Sequence, residues 1–264
     1  MDLGLKERVA MVAAASKGIG RAIAEALLAE GCRVSISARG KESLEAARSA
    51  MRSRFPSGEV LACPTDVRKA EELERWHAET AGALGPVDIL VTNTGGPPAA
   101  RFLDLSEEQW TEGLQLTLLN VIRTSKLVIP GMREKKRGRI LHITSFVAKQ
   151  PSDILTVSST LRAGISALTK TMANQLAPDG ILVNALLPGY VKTDRQIELA
   201  AIRSREAGIS VEEYEKRSAQ TIPLRRSAEP PEIGAVAAFL CSDRASYLTG
   251  VSLAVDGGLL QGTF

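Results

Sequence analysis

The sequence predicts an α/β protein with one doubly wound domain, in which helices cover both faces of a seven-stranded parallel sheet. The first observation is that short, nearly continuous apolar runs alternate along the chain with segments of helical apolar spacing. Strands that are buried on both faces of a parallel sheet have this near-continuous apolar character. The second observation is the length of 264 residues, which suits a single large domain spanning residues 1–264.

Seven apolar runs are the predicted strands, and they cover residues 9–14, 33–37, 59–65, 88–93, 139–144, 181–187 and 252–255. Between them apolar residues recur at helical spacing, as Ile23, Leu27 and Leu28 do ahead of Gly31. Because strand–helix–strand crossovers are right-handed, these units assemble into a Rossmann-type sheet. Ligands bind to such a sheet in the crevice at the carboxyl ends of its strands.

Residues 190–227 interrupt this alternation. Two charged helical patterns, at about residues 195–206 and 211–220, follow one another with no strand between them. Basic and acidic residues nearly cancel in this segment, as they do in a solvated pair of helices. The segment also follows the carboxyl end of a strand, so a lid that covers the substrate is an equally good interpretation.

Composition argues against several classes of function. The chain has 33 basic and 30 acidic residues and a net charge of +3, so we predict neither a nucleic-acid partner nor a membrane partner. No run approaches the roughly 18 apolar residues of a membrane span. Cys32, Cys63 and Cys241 form no C-x-x-C pair, so we predict no disulfide framework, no metal site and a reducing cytoplasm as the location.

A glycine-containing turn after the first predicted strand indicates a dinucleotide site. The run A-A-A-S-K-G-I-G opens a helix, and its predicted cofactor-binding residues are Ser16, Lys17, Gly18, Ile19 and Gly20. Glycines let backbone amides approach a phosphate, and the amino end of the helix adds partial positive charge. The motif becomes specific because it lies between a strand and a helix.

Arg39, at the end of the second predicted strand, indicates the form of the dinucleotide. Sites for NAD place an acidic residue at this point to accept from the ribose 2′-hydroxyl. Arg39 and Lys17 instead offer two positive charges, which suit a 2′-phosphate. We therefore predict NADP as the cofactor in preference to NAD.

Further motifs follow in order along the chain: Asp66-Val67, T-N-T-G with Asn93 and Gly95, P-G-Y-V-K-T with Pro188, Gly189, Val191 and Thr193, and a C-terminal run over residues 239–258. Together with the glycine turn they resemble the short-chain dehydrogenase/reductase family over residues 6–260. The resemblance implies that these motif residues bind the cofactor, with Asp66 and Val67 at the adenine and Thr193 at the nicotinamide carboxamide. It also implies that the C-terminal region packs subunits into homodimers or homotetramers.

Two alanines depart from the glycine motif of that family, which begins with Thr and Gly. Ala13 replaces the Thr, and the loss of its hydroxyl removes a hydrogen bond between strands. Ala14 replaces the Gly and is expected to add only a methyl group at the turn. We expect a modest cost and no loss of cofactor binding.

The catalytic motif departs further. The family carries a Ser, a Tyr thirteen residues later and a Lys four beyond it, and these positions hold Ser145, Ser158 and Arg162 in this chain. The family's Asn, seven residues after a Trp, corresponds to Thr117 after Trp110. Ser145, Ser158, Arg162 and Thr117 are therefore the candidate catalytic residues. A serine is a much weaker acid than a phenol, and an arginine keeps the positive charge but does not relay a proton.

Five other side chains are weaker candidates. Tyr190 should line the substrate pocket and supply a phenol from another direction, and Tyr214 reaches the site only if the segment of residues 190–227 closes. Asn120, one turn beyond Thr117, acts through water or else only packs. His142 is predicted as a core histidine and Lys149 as a solvated lysine.

These residues support three hypotheses about function. The first is an NADP-dependent oxidoreductase that acts on a small carbonyl or alcohol, similar to a 3-oxoacyl-acyl-carrier-protein reductase. The second is a cofactor-binding sensor or assembly protein with little reductase chemistry, because the phenol and the ammonium are missing. The third is non-redox chemistry, such as a lyase that uses the nicotinamide structurally.

Overall fold

A computed structural model describes residues 2–263 and contains the predicted parallel sheet of seven strands. The strands are β1 Val9–Val12, β2 Arg33–Ala38, β3 Val60–Pro64, β4 Ile89–Thr92, β5 Gly138–Ile143, β6 Ile181–Pro188 and β7 Ser252–Val255. Their order across the sheet is β3-β2-β1-β4-β5-β6-β7, and every neighbouring pair is parallel. The predicted doubly wound class is confirmed.

Helices follow the strands in chain order. They are α1 Gly18–Ala29, α2 Lys41–Arg54, α3 Ala70–Leu84, α4 Glu107–Leu114, α5 Asn120–Glu134, α6 Thr156–Leu176, α7 Asp194–Ala207, α8 Val211–Thr221 and α9 Pro230–Cys241. A π-helical turn, Gln115–Leu119, joins α4 to α5. None of the helices in residues 2–263 has both the length and the apolarity that a membrane span needs.

Two apolar layers cover the two faces of the sheet. Successive strand residues point to opposite faces. In β1, accordingly, Ala10 and Val12 join the layer of α1, α2 and α9, while Val9 and Met11 join the layer of α3, α5 and α6. All four side chains are at most 1% exposed. Burial on both faces therefore explains why β1 reads as an unbroken apolar run.

The carboxyl ends of the central strands create the crevice. Strand β1 pairs with β2 on one side and with β4 on the other, so the order of strands reverses at β1. Loops that leave β1 and β4 therefore diverge to opposite faces and leave an opening between them. The loops after β5 and β6 extend the same edge of the sheet.

Residues 190–227 form an excursion from the sheet, and hydrogen bonds join the two ends of this excursion. It contains α7 and α8 and no strand between them, as predicted. Val191 and Ala228 form an isolated parallel bridge, in which the Ala228 amide donates to the Tyr190 carbonyl at 2.8 Å and the Lys192 amide donates to the Ala228 carbonyl at 2.9 Å. The two ends of the excursion are thereby held side by side next to the crevice.

His142 is a core residue of β5. Its Nδ1 lies 2.9 Å from the Thr92 hydroxyl on the neighbouring strand, while its Nε2 has no partner among residues 2–263. The side chain is completely buried, and this burial lowers the pKa of His142 to about 4. The imidazole is therefore neutral near pH 7.

This burial predicts acid sensitivity. The unfolded chain takes up the His142 proton near pH 6.5 and the folded protein only near pH 4, so stability is lost as pH falls through that window. We expect the free energy of unfolding to fall between pH 6.5 and 4.5 by about 2 kcal/mol more in the wild type than in His142→Gln. Urea denaturation at several pH values measures both curves, and parallel curves would contradict the assignment.

Candidate active site

A cleft of about 1090 Å³ lies at the carboxyl ends of β1, β4, β5 and β6. Twelve of the fourteen predicted cofactor residues line it, namely Ser16, Lys17, Gly18, Ile19, Arg39, Val67, Asn93, Gly95, Pro188, Gly189, Val191 and Thr193. The two others, Gly20 and Asp66, lie outside the lining. Residues that are far apart in sequence thus meet in the lining of one cleft, and these twelve residues are called the cofactor wall below.

Gly20 lies beneath the wall and supports it. A Cβ at this position would lie 2.3 Å from the Ala14 carbonyl oxygen and 2.8 Å from the Asn93 side-chain nitrogen. Any larger residue would therefore push the glycine turn away from α1 or displace Asn93. Gly20 acts by allowing close approach of the backbone, which is what a phosphate-binding turn at a helix amino end requires.

Ala14 carries a strain that its methyl group alone does not suggest. Its φ is +50°, in the left-handed region that favours glycine. The expectation that this alanine only adds a methyl group is therefore wrong, because a side chain in this region costs roughly 1–2 kcal/mol of backbone energy. Strand β1 ends at Val12, two residues before the predicted limit.

Asp66 does not face the cleft. Its carboxylate accepts hydrogen bonds from Nε and Nη2 of Arg68, at 3.0 and 2.6 Å. The bonds from Arg68 are the largest cause that lowers the pKa of Asp66. The neighbouring Val67 lines the cleft, and the contact of Asp66 with the adenine stays a prediction.

Positive charge marks the end of the cleft beside α1 and α2. Arg39 is exposed there and forms no ion pair within residues 2–263, while Lys17 pairs across the cleft with Asp194 at the start of α7. Glu25, an acidic residue at this end, is held by Arg21 and Arg54, each at 2.7 Å. The residues present therefore fit the 2′-phosphate of NADP better than a free ribose hydroxyl.

Three of the four predicted catalytic residues share the opposite part of the cleft. Ser145 follows β5, and its Oγ accepts from the Val147 amide at 3.3 Å. Ser158, on α6, accepts at its Oγ from Nε of Arg162 at 3.1 Å. Because each serine oxygen already accepts a hydrogen bond, each hydroxyl proton is left to donate into the cleft.

Arg162 is a buried cation held by carbonyl groups. Its Nη1 donates to the carbonyl oxygens of Ile143 and Thr144, at 3.1 and 2.8 Å, and Nη2 has no partner among residues 2–263. Within residues 2–263 no carboxylate forms an ion pair with Arg162. Burial, followed by the charge of Arg195, lowers the pKa of Arg162 to about 10, so the group stays protonated at neutral pH.

Thr117 does not reach the cleft. It is fully buried on the π-helical turn, and its hydroxyl has no partner among residues 2–263. Together with Asn120 it borders a small internal void behind Arg162. Asn120 donates to the Leu116 carbonyl one turn back and leaves its side-chain oxygen unpaired. Thr117 therefore borders this void and not the cleft that Ser145 and Ser158 line, and its catalytic role stays a prediction.

The alternative proton donors differ in their placement. Tyr190 and Tyr214 both line the cleft, and Tyr190 packs edge-on against Phe146 with ring centroids 5.5 Å apart. Burial raises the pKa of Tyr190, with a smaller contribution from Tyr214, so its phenol is a weaker acid than usual. Lys149 is exposed and lies outside the lining.

Arg195 and Arg203 on α7 are among the cleft residues that sequence reasoning missed. Both read as ordinary surface charges in a segment where basic and acidic residues balance. Their spacing could have indicated a shared role, because side chains eight residues apart lie on roughly the same face of a helix. Only the folding of α7 over the sheet edge turns that face toward the cleft.

Comparison with known proteins identifies the family. The family model described as enoyl-(acyl carrier protein) reductase matches residues 13–260. The 3-oxoacyl-[acyl-carrier-protein] reductase of Aquifex aeolicus is 31% identical over 259 residues, which are 98% of this chain and 100% of that protein. The chain belongs to the short-chain dehydrogenase/reductase family.

Solved structures of the short-chain dehydrogenase/reductase family share the whole architecture. The L-sorbose reductase of Gluconobacter frateurii, complexed with NADPH and L-sorbose, is 31% identical and superimposes with a TM-score of 0.94 over 99% of this chain and 100% of that one. An NADPH-bound short-chain oxidoreductase of Pseudomonas aeruginosa PAO1, which contains an atypical catalytic center, is 33% identical with a TM-score of 0.90. The matched regions cover 98% of this chain and 99% of that one.

The strain at Ala14 predicts a stabilising substitution. Ala14→Gly relieves the left-handed backbone, while glycine adds some entropy to the unfolded chain. We expect the free energy of unfolding in urea to rise by about 0.5–1 kcal/mol. Ala13→Gly is the matched control, because Ala13 is buried without a positive φ and should lose about 1 kcal/mol. Equal losses in both variants would argue against strain at Ala14.

Proposed function

We propose that this protein is an NADP-dependent oxidoreductase that transfers hydride between the nicotinamide and a small carbonyl or alcohol. The observation that carries the proposal is the set of three unused donors in one part of the cleft: the hydroxyls of Ser145 and Ser158 and the Nη2 of Arg162. Donors that line one part of a cleft stabilise the oxygen of a carbonyl as it takes negative charge.

The reduction balances with one external proton. When bound, NADPH supplies a hydride, and the overall change is carbonyl plus NADPH plus a proton to alcohol plus NADP⁺. Ser145, Ser158 and Arg162 orient the substrate oxygen and stabilise the charge that develops on it. Arg162 keeps its proton at neutral pH, and burial raises the pKa of Tyr190. The proton comes from solvent, either directly or through the Tyr190 phenol, which lines the cleft and, although burial raises its pKa, stays a stronger acid than water.

The relatives support the chemistry in different ways. The Aquifex protein is a 3-oxoacyl reductase, which supports a 3-oxoacyl-like carbonyl, whereas the Gluconobacter protein binds L-sorbose. Both the Gluconobacter and the Pseudomonas structures hold NADPH, in agreement with the charges of Arg39 and Lys17 in this chain. The Pseudomonas protein also supports the idea that an oxidoreductase of this family operates with an atypical centre.

Three further assignments belong to this proposal. The excursion of residues 190–227 acts as a lid, because its base is fixed and α7 walls the cleft. The chain forms homodimers or homotetramers through its C-terminal region, where Phe239, Tyr247 and Leu253 expose apolar surface. A cytoplasmic location suits three buried cysteines that form no disulfide.

A second candidate is a cofactor-binding sensor or assembly protein that performs little reduction. The observation that favours it is the chemistry of the donor set: Ser145, Ser158 and Arg162 supply hydrogen bonds and charge but no acid that titrates near neutral pH. A sensor would keep the same dinucleotide wall. The two candidates therefore agree on cofactor binding and differ in turnover.

Cofactor preference is tested by removing Arg39. The wild type should bind NADPH more tightly than NADH, and Arg39→Ala should weaken NADPH binding roughly tenfold, since one charge-assisted contact to the 2′-phosphate is lost. Binding of NADH should change less than twofold. Arg52→Ala, an exposed arginine on α2 outside the cleft, is the matched control. Quenching of tryptophan fluorescence measures both constants, and equal affinities in the wild type would overturn the charge argument.

Turnover separates the two candidates. NADPH oxidation with a panel of small ketones, 3-oxoacyl thioesters and ketoses should proceed in the wild type and fall roughly a hundredfold in kcat in Ser145→Ala, while NADPH affinity is retained. Ser53→Ala on α2 serves as the control. The double variant Ser158→Tyr/Arg162→Lys tests whether restoring a phenol and an ammonium group creates activity. An inert wild type beside an active double variant would favour the sensor.

A further inference from the structure

The part of the cleft that holds Ser145 and Ser158 carries three arginines. Arg162 reaches it from α6, while Arg195 and Arg203 reach it from α7. The two α7 arginines are about one quarter exposed, with side-chain exposures of 29% and 26%. All three guanidinium groups are therefore partly or wholly withdrawn from solvent, where a positive charge costs more than on an open surface.

Polar contacts to the neighbouring loops hold the two α7 arginines over the cleft. Nη2 of Arg195 donates to the Pro97 carbonyl in the loop after β4 at 2.9 Å. Nη2 of Arg203 donates to the Ser152 hydroxyl, in the loop between β5 and α6, at 2.6 Å. Each arginine thus bridges α7 to a loop that borders the site of Ser145 and Ser158, at the end of the cleft away from Arg39.

The walls supply too little negative charge to balance these arginines. Among residues 2–263 only two acidic side chains line the cleft, Glu25 and Asp194, and they are bound to Arg21 and Arg54 and to Lys17 respectively. Glu198 pairs with Arg195 at 2.9 Å but is 60% exposed and lies outside the lining.

The remaining acid near the arginines is Asp153. It comes no closer than 4.0 Å to Arg203 and is 61% exposed. Arg162 and Arg195 also repel each other, since the charge of Arg195 contributes to the lowered pKa of Arg162. An anion bound between them would relieve this repulsion.

The cofactor phosphates do not account for this charge. The glycine turn at the amino end of α1, with Arg39 beside it, provides for them at the other end of the cleft. Arg195 and Arg203 instead share the cleft lining with Phe146, Leu155 and Leu199, which belong to a small apolar cluster that includes residues next to Ser145. An occupant of this part therefore meets apolar surface, two serine hydroxyls and three guanidinium groups.

We propose that the substrate is a carbonyl compound that also carries an anionic oxygen group, a carboxylate or a phosphate. Arg195 and Arg203 anchor the anionic group, since a guanidinium fork matches both oxyanions, while Ser145, Ser158 and Arg162 hold the carbonyl oxygen. This inference rests on the proposed reductase function and names its substrate class.

Matched substrate pairs test the inference on the full-length protein with NADPH. The pairs are acetoacetate with ethyl acetoacetate, and fructose 6-phosphate with fructose. We expect at least a tenfold higher kcat/KM for the anionic member of one pair, and that pair identifies carboxylate or phosphate as the preferred group. Arg195→Gln and Arg203→Gln should each reduce the preference to threefold or less, mainly through KM, because an anchoring contact acts in the ground and transition states alike.

A control on the same helix isolates the effect of position. Arg205→Gln removes an exposed arginine of α7 that lies outside the cleft lining, so the preference for the anionic member should persist. NADPH affinity should be unchanged in Arg195→Gln and Arg203→Gln. Weakened NADPH binding in either variant would overturn the assignment by placing that arginine at the cofactor.

The remaining outcomes distinguish this inference from the reductase function. Equal or preferred turnover of the neutral members would overturn the anionic substrate and leave the reductase standing. If no carbonyl is reduced, the reductase function fails, and saturation-transfer NMR of acetoacetate and fructose 6-phosphate on the NADPH-loaded protein decides the inference. Binding that Arg195→Gln and Arg203→Gln abolish supports an anion site, and absence of binding overturns it.

Discussion

The hydrogen bonds between Arg162 and the end of β5 are the interaction on which the site depends. A buried guanidinium without a carboxylate partner persists only if dipoles replace its hydration, and the carbonyl groups of Ile143 and Thr144 do so at 3.1 and 2.8 Å. These carbonyls come at the carboxyl end of a parallel strand, where the ladder of the sheet stops. The same bonds connect α6 to the end of the strand that Ser145 follows. They therefore fix the positions of Ser145, Ser158 and the Arg162 guanidinium relative to one another.

This arrangement defines the chemistry that the candidate site offers in place of a tyrosine phenol. Arg162 uses two of its nitrogen atoms for the protein and directs the third toward the cleft, while each serine accepts one hydrogen bond and keeps its own proton. Such a set stabilises negative charge on oxygen but supplies no acid near neutral pH.

The cofactor wall shows which parts of a motif are interchangeable. Gly20 tolerates no Cβ because a carbonyl oxygen lies 2.3 Å from where it would stand, whereas Ala14 occupies a glycine conformation at an energetic cost. The difference is physical: a clash with the backbone has no low-energy escape, while a positive φ only strains the alanine. The turn therefore accommodates alanine at position 14, whereas any side chain at position 20 would displace the backbone.

The sequence by itself determined the parallel sheet and the resemblance to the family, because periodicity and motif spacing are properties of neighbours along the chain. Only the tertiary structure decided that Thr117 faces an internal void, that Asp66 turns to Arg68, and that Arg195 and Arg203 line the cleft. Those outcomes depend on how α4, α5 and α7 pack against strands far away in sequence. A side chain's direction at such contacts follows from packing and burial, which residue type and spacing do not encode.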